Sequence, residues 1–195
     1  MRDFNIPGRS AAMAANGMAA TSHPMATLTA LDVLRSGGNA ADAAIAAVAM
    51  QCVVEPQSTG IGGDCFVLYS RGGALPVALN GSGRAPAKAT VEWYVEHGIH
   101  EIAVQTPHAA TVPGAVDAWC LFNREHGTRP LAELLEPAAK AAENGYVVTP
   151  RIATDWHRNQ AKLRDPATAA LFLPGGKAPD AGDRMANPPL AASLR

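Results

Sequence analysis

The sequence predicts an α+β domain built as helices, then one β-hairpin, then further helices. Three observations carry that expectation. An Ala-rich run over residues 21–54 has helical spacing and helix punctuation. Two glycine-rich blocks, Ser58-Thr59-Gly60-Ile61-Gly62-Gly63-Asp64 and Asn80-Gly81-Ser82-Gly83-Arg84-Ala85-Pro86-Ala87-Lys88-Ala89-Thr90, bracket a short apolar stretch of hairpin length. Downstream, stretches of helical pattern are separated by Pro and Gly.

Residues 1–22 read as irregular. Thr21 or Ser22 offers an N-cap oxygen, and Pro24 suits a first helical turn, where its missing N–H costs nothing. Leu28, Leu31 and Leu34 predict one apolar stripe, and Gly37-Gly38 a stop. Asn39 restarts a helix, with Asp42 three positions on as in a capping box. That second helix, carrying Ile45, Val48, Met50 and Val53, is apolar nearly all round and is predicted to be buried. Glu55-Pro56 ends it. Residues 65–69 predict a strand, Arg71-Gly72-Gly73 a turn, and residues 75–79 the return strand, with Pro76 where no ladder N–H is needed. A short helix follows at 91–97, another runs from the Val112-Pro113-Gly114 segment to His126-Gly127, and an amphipathic one covers 130–143. Residues 150–163 also predict a helix. The stretch 173–189 reads as turns, with a new helix starting at Leu194-Arg195.

Composition narrows the function. The 195 residues carry a formal net charge of −1, so nothing points to nucleic acid. The most apolar run, residues 43–54, is too short to span a bilayer, and the first ten residues lack the apolar core of a secretory signal. The expectation is a cytoplasmic protein without membrane contact. Cys52, Cys65 and Cys120 are far apart and read as reduced, mostly buried thiols. The six histidines, His23, His97, His100, His108, His126 and His157, show no metal-ligand spacing, so surface or capping roles are expected. The block around Gly60 lacks the Gly-Lys-Ser/Thr of a phosphate loop and precedes a strand instead of opening a helix. Asp64, at its edge, is the carboxylate of interest; accepting from backbone N–H groups is its simplest role.

Four segments together, Ser36-Gly37-Gly38-Asn39-Ala40-Ala41-Asp42-Ala43, Gly60-Ile61-Gly62-Gly63, Ala85-Pro86-Ala87-Lys88-Ala89-Thr90 and Val112-Pro113-Gly114, resemble the N-terminal part of the γ-glutamyltranspeptidase family. The resemblance covers nearly the whole chain and implies the αββα sandwich of Ntn hydrolases, here only its N-terminal portion. It also implies a self-cleaving precursor. The new N-terminal Thr of the small subunit is the nucleophile, with its own α-amine as base. In family members that Thr lies far downstream of this region. Thr21-Ser22-His23 imitates the cleavage-site string but precedes the large-subunit motifs, and it reads as structural. Residues 1–195 are therefore expected to be a partial large subunit, truncated and inactive alone, with the small subunit of the same precursor as partner and no cofactor or metal.

One residue speaks to substrate. The resemblance places a family Arg, which grips the substrate α-carboxylate, at Ser82, whereas this chain has Arg84 two positions on. On an extended segment, residues two apart share a face, about 6–7 Å apart. Arg84 is then a candidate carboxylate ligand, or alternatively a structural salt bridge or turn cap before Pro86. The departure points away from glutathione transpeptidation, toward relatives of the cephalosporin-acylase and oxamate-amidohydrolase type acting on amides of small carboxylates. The competing class is a catalytically silent fragment or small-molecule-binding module.

Overall fold

The computed structural model describes residues 10–195. Residues 1–9, which include most of the stretch read as lacking a secretory signal, lie outside the described residues. Helix α1 (Pro24–Arg35) and helix α2 (Ala40–Val54) form an antiparallel pair on which the rest is assembled. Asn39 and Asp42 make the predicted reciprocal capping box. Helix α2 is buried on nearly every side, with Ala41, Ala46 and Ala49 allowing close approach of its neighbours. Burial of Ile45, Val53 and Val54 contributes about 1.5–3 kcal/mol each.

Strands β1 (Cys65–Tyr69) and β2 (Val77–Gly81) pair antiparallel, with Cys65 opposite Gly81 and Tyr69 opposite Val77. Short helix α3 (Val91–Glu96) follows, then a 3₁₀ turn at Pro107–Ala109. Helix α4 (Ala115–His126) covers one face of the hairpin and packs on α2. Helix α5 (Leu131–Asn144) lies against α2, burying Leu134 and Leu135. Strand β3 (Tyr146–Val147), helix α6 (Pro150–Asn159), helix α7 (Pro166–Phe172), strand β4 (Arg184–Met185) and helix α8 (Pro188–Leu194) complete the order. β3 pairs antiparallel with β4, and α8 packs on α5. Among the described residues no helix is long and apolar enough to cross a membrane.

Several expectations need correction. Neither Thr21 nor Ser22 caps α1; the imidazole of His23 does, its Nδ1 accepting from Met25 N–H at 3.2 Å. The buried stripe of α1 is Ala26, Thr29, Ala30 and Val33, while Leu28 is 53% exposed. Close packing on the Ala-rich α2 gives the fully buried positions to these smaller residues, leaving Leu31 and Leu34 half-buried, with Leu34 packed against the core, and Leu28 outward. The return strand runs two residues later than expected, because the turn spans more than Arg71-Gly72-Gly73 and leaves Pro76 outside the ladder. The α-helix predicted over 150–163 ends at Asn159 and tightens into a 3₁₀ turn at Gln160–Lys162. The stretch read as turns contains β4, and the last helix already occupies Pro188–Leu194. Helix α7, capped by Asp165, was not expected from the sequence pattern. Cys120 is exposed, while Cys52 is buried and Cys65 half-buried.

Candidate functional site

The two glycine blocks converge on a third segment, Val112-Pro113-Gly114, at the start of α4. The carbonyl of Gly63 accepts from the N–H groups of Gly114 at 3.1 Å and Ala115 at 3.0 Å. Gly81, Gly83 and Gly114 then lie backbone against backbone. A Cβ on Gly83 would sit 1.5 Å from the Val112 carbonyl oxygen, and one on Gly114 would sit 2.4 Å from that of Gly81. Only glycine fits such an approach. Asp64 links the first block to the second, accepting from Gly83 N–H at 3.0 Å and from the Thr111 hydroxyl at 3.4 Å. Its expected backbone-accepting role is what the structure shows.

Arg84 emerges from this junction. Its carbonyl accepts from Val112 N–H at 3.0 Å, which fixes the backbone. Ser82 and Arg84 are exposed while Gly81 and Gly83 are half-buried, so the alternation of β2 carries past its end and puts Ser82 and Arg84 on one face. The exposed guanidinium makes no ion pair or hydrogen bond among the described residues. The structural salt bridge considered above is therefore absent among the described residues.

Beside the junction lies a cavity of about 340 Å³, walled by Ser58, Thr59, Gly60, Asp64, Cys65 and Trp119 among others. Arg84 does not line it; Asp64 connects the two through Gly83. Burial pushes the Cys52 thiol up to about 12 and raises that of Cys65, so both are protonated at neutral pH and poor nucleophiles. Among the described residues no three His, Cys, Asp or Glu side chains are grouped to hold a metal ion.

Thr21-Ser22-His23 lies elsewhere and ties together two helix ends, although the buried Nε2 of His23 has no hydrogen-bond partner among the described residues. The Thr21 hydroxyl donates to the His23 carbonyl at 2.8 Å, and the Ser22 hydroxyl donates to Glu55 at 2.5 Å. Gln51 donates to both Ser22 and Glu55. This knot ties the start of α1 to the end of α2. Burial lowers the His23 pKa, opposed by the charge of Glu55.

Sequence reasoning singled out Arg84 and Asp64 but missed Gly83 and Thr111. The signal for Gly83 was its place in an extended segment between Ser82 and Arg84, where a glycine marks close backbone contact.

Comparison with known proteins gives the same picture. The Gamma-glutamyltranspeptidase family profile matches residues 26–195. The Acylase ACY 1 proenzyme of Pseudomonas sp. (strain SE83) is 38% identical over 195 residues, covering 94% of this chain and 35% of the relative. The crystal structure of cephalosporin acylase from Bacillus halodurans superposes with a TM-score of 0.89 at 39% identity, over 99% of this chain and 38% of that one. The Helicobacter pylori gamma-glutamyltranspeptidase gives 0.87 at 30% identity, over 95% and 54%. The chain thus spans about a third of the length of the curated relatives it matches. Its helices and hairpin are the corresponding portion of the αββα Ntn-hydrolase fold. With most of its length matched by the profile and its elements superposing on these structures, the chain belongs to the γ-glutamyltranspeptidase family.

Proposed function

We propose that this chain is the N-terminal part of the large subunit of a self-processing amide hydrolase of the acylase type. In this reading Arg84 holds the carboxylate on the acyl side of the substrate. The Thr nucleophile, its α-amine acting as base, comes from the remainder of the precursor. The observation that carries the reading is the exposed guanidinium of Arg84, unpaired among the described residues, beside the junction where Gly63 and Gly114 meet. A guanidinium presents a bidentate donor pair matched to a carboxylate. Hydrolysis in place of glutathione transpeptidation is supported by Ser82 at the transpeptidase arginine position. Identity of 38–39% to the acylases above, against 30% to the transpeptidase, is compatible with it, and a glutathione hydrolase-like proenzyme of Bacillus subtilis is also 38% identical. The free thiols of Cys52, Cys65 and Cys120 support a reducing, cytoplasmic setting.

The hairpin face opposite α4 supports the partial-subunit reading. Phe66 is 69% and Leu68 is 81% exposed there, and the register sets both on the same face. We assign this apolar face, and the open strand edges, to contact with the rest of the same protein. The test is expression from the complete gene. Two bands on a denaturing gel are expected, with hydrolysis of glutaryl amides or oxamate exceeding that of γ-glutamyl-p-nitroanilide. A single unprocessed band without amide hydrolysis overturns the reading.

A further inference from the structure

Downstream of Arg84 the chain builds a second recess that the junction does not use. Helix α3 lays Trp93 and Tyr94 against the 3₁₀ turn at Pro107–Ala109. The rings of Trp93 and His97 stack at 4.0 Å with 21° between their planes, while His108 approaches Trp93 at 5.7 Å and Tyr94 at 5.4 Å. Between these elements opens a cleft of about 210 Å³, walled by Pro86, Trp93, Tyr94, Pro107 and His108, with Lys88 at its lip. Ala89 and Ala110 complete the lining, so among the described residues no carboxylate lines it. Lys88 is exposed and makes no ion pair among the described residues.

We propose that this cleft takes an aromatic ring bearing a carboxylate, on the amine side of the amide substrate. The inference rests on the hydrolase reading above. The volume suits a single ring, and aromatic and proline walls are the surfaces on which a ring packs edge or face. The Lys88 ammonium, without an ion-pair partner among the described residues, selects an anionic ring over a neutral one. Position supplies the side of the scissile bond. Pro86 is two residues from Arg84 and Lys88 is four, so the cleft begins roughly 7 Å and ends within about 14 Å of the proposed acyl-carboxylate ligand along the chain. With Arg84 committed to the acyl carboxylate, a second anionic group facing Lys88 belongs to the amine half.

The test uses the full-length, processed protein and two glutaryl anilides, one plain and one with a carboxylate on the ring. The ring carboxylate is expected to raise kcat/KM about tenfold, mainly through KM. In Lys88→Met the ratio between the two substrates falls to about one, and Lys88→Arg restores most of it. A binding measurement independent of turnover accompanies this. Titration with 3-aminobenzoate is expected to move the imidazole NMR signals of His97 and His108, whereas aniline moves them far less. Imidazole shifts without anilide hydrolysis uphold the cleft and sink the hydrolase reading. Hydrolysis with no ratio between the substrates, or one that survives Lys88→Met, overturns the cleft alone.

Discussion

Asp42 sits in the first turn of α2, buried, and its carboxylate collects four donors. Asn39 N–H and the Thr128 hydroxyl bond one oxygen; the N–H groups of Thr128 and Arg129 bond the other. Burial alone would raise its pKa, but the bonds from Thr128, Asn39 and Arg129 outweigh burial and hold it below the usual carboxylate range. The sign follows directly: stability from Asp42 is complete above the unfolded carboxylate value and is lost as pH falls through the lower folded one. Asp42→Ala strands buried backbone donors and is expected to cost about 3–5 kcal/mol by urea denaturation of the full-length protein. The capping box was legible from the spacing of Asn39 and Asp42. The bonds to Thr128 and Arg129 were not, because the packing of distant helices creates them. Gly83 makes the same point. Gly83→Ala drives a Cβ into the Val112 carbonyl and is expected to cost more than about 3 kcal/mol, whereas Gly62→Ala, with nothing within 4 Å, stays within about 1 kcal/mol of wild type. Equal effects of these two alanines on the denaturation midpoint would contradict the close-approach account.

Among elements, α1 shows how neighbours override pattern. Its leucines at a three-residue spacing suggested a core stripe. Ala26, Thr29, Ala30 and Val33 took the fully buried positions because α2 presents an Ala-rich surface that favours close approach, while Leu34 packs half-buried against the core. Its cap was equally hidden, since a histidine Nδ1 is not a residue type that capping rules favour. That cap has a pH consequence. Burial depresses the His23 pKa, so the unfolded chain takes up the proton first, and stability falls as pH drops below the unfolded value of about 6.5. His23→Asn keeps a capping acceptor and removes the titration. Its melting temperature is expected to change less between pH 7 and pH 5 than that of wild type. A parallel decline in the two proteins would remove His23 as the cause. The hairpin and most downstream helices were readable from Gly, Pro and apolar spacing. The β3–β4 pair was not, because two-residue strands carry no period of their own.

For the whole molecule, the decisive physical fact is a hairpin covered on one face and bare on the other. Phe66, Leu68 and Leu75 are exposed, which an independent domain of this size rarely tolerates as a shared patch. The isolated 195-residue chain is expected to aggregate or to unfold without a cooperative transition. Replacing Phe66 and Leu68 by Ser should improve its solubility while lowering the yield of processed full-length protein. A sharp calorimetric transition from the unmodified isolated chain would contradict the reading that this face contacts further protein. The family was legible because its motifs are short and local, and two of their glycines, Gly63 and Gly114, meet at the junction.

The proposed recognition of a substrate carboxylate by Arg84 is read out by the enzyme's preference for a charged over an uncharged acyl group. kcat/KM is measured for the processed full-length protein on glutaryl-p-nitroanilide and on its uncharged counterpart, pentanoyl-p-nitroanilide. Wild type is predicted to prefer the carboxylated substrate by roughly 30- to 100-fold, with the preference largely lost in Arg84→Gln and only partly kept in Arg84→Lys. A preference of unchanged size in Arg84→Gln would place the carboxylate elsewhere and contradict the account.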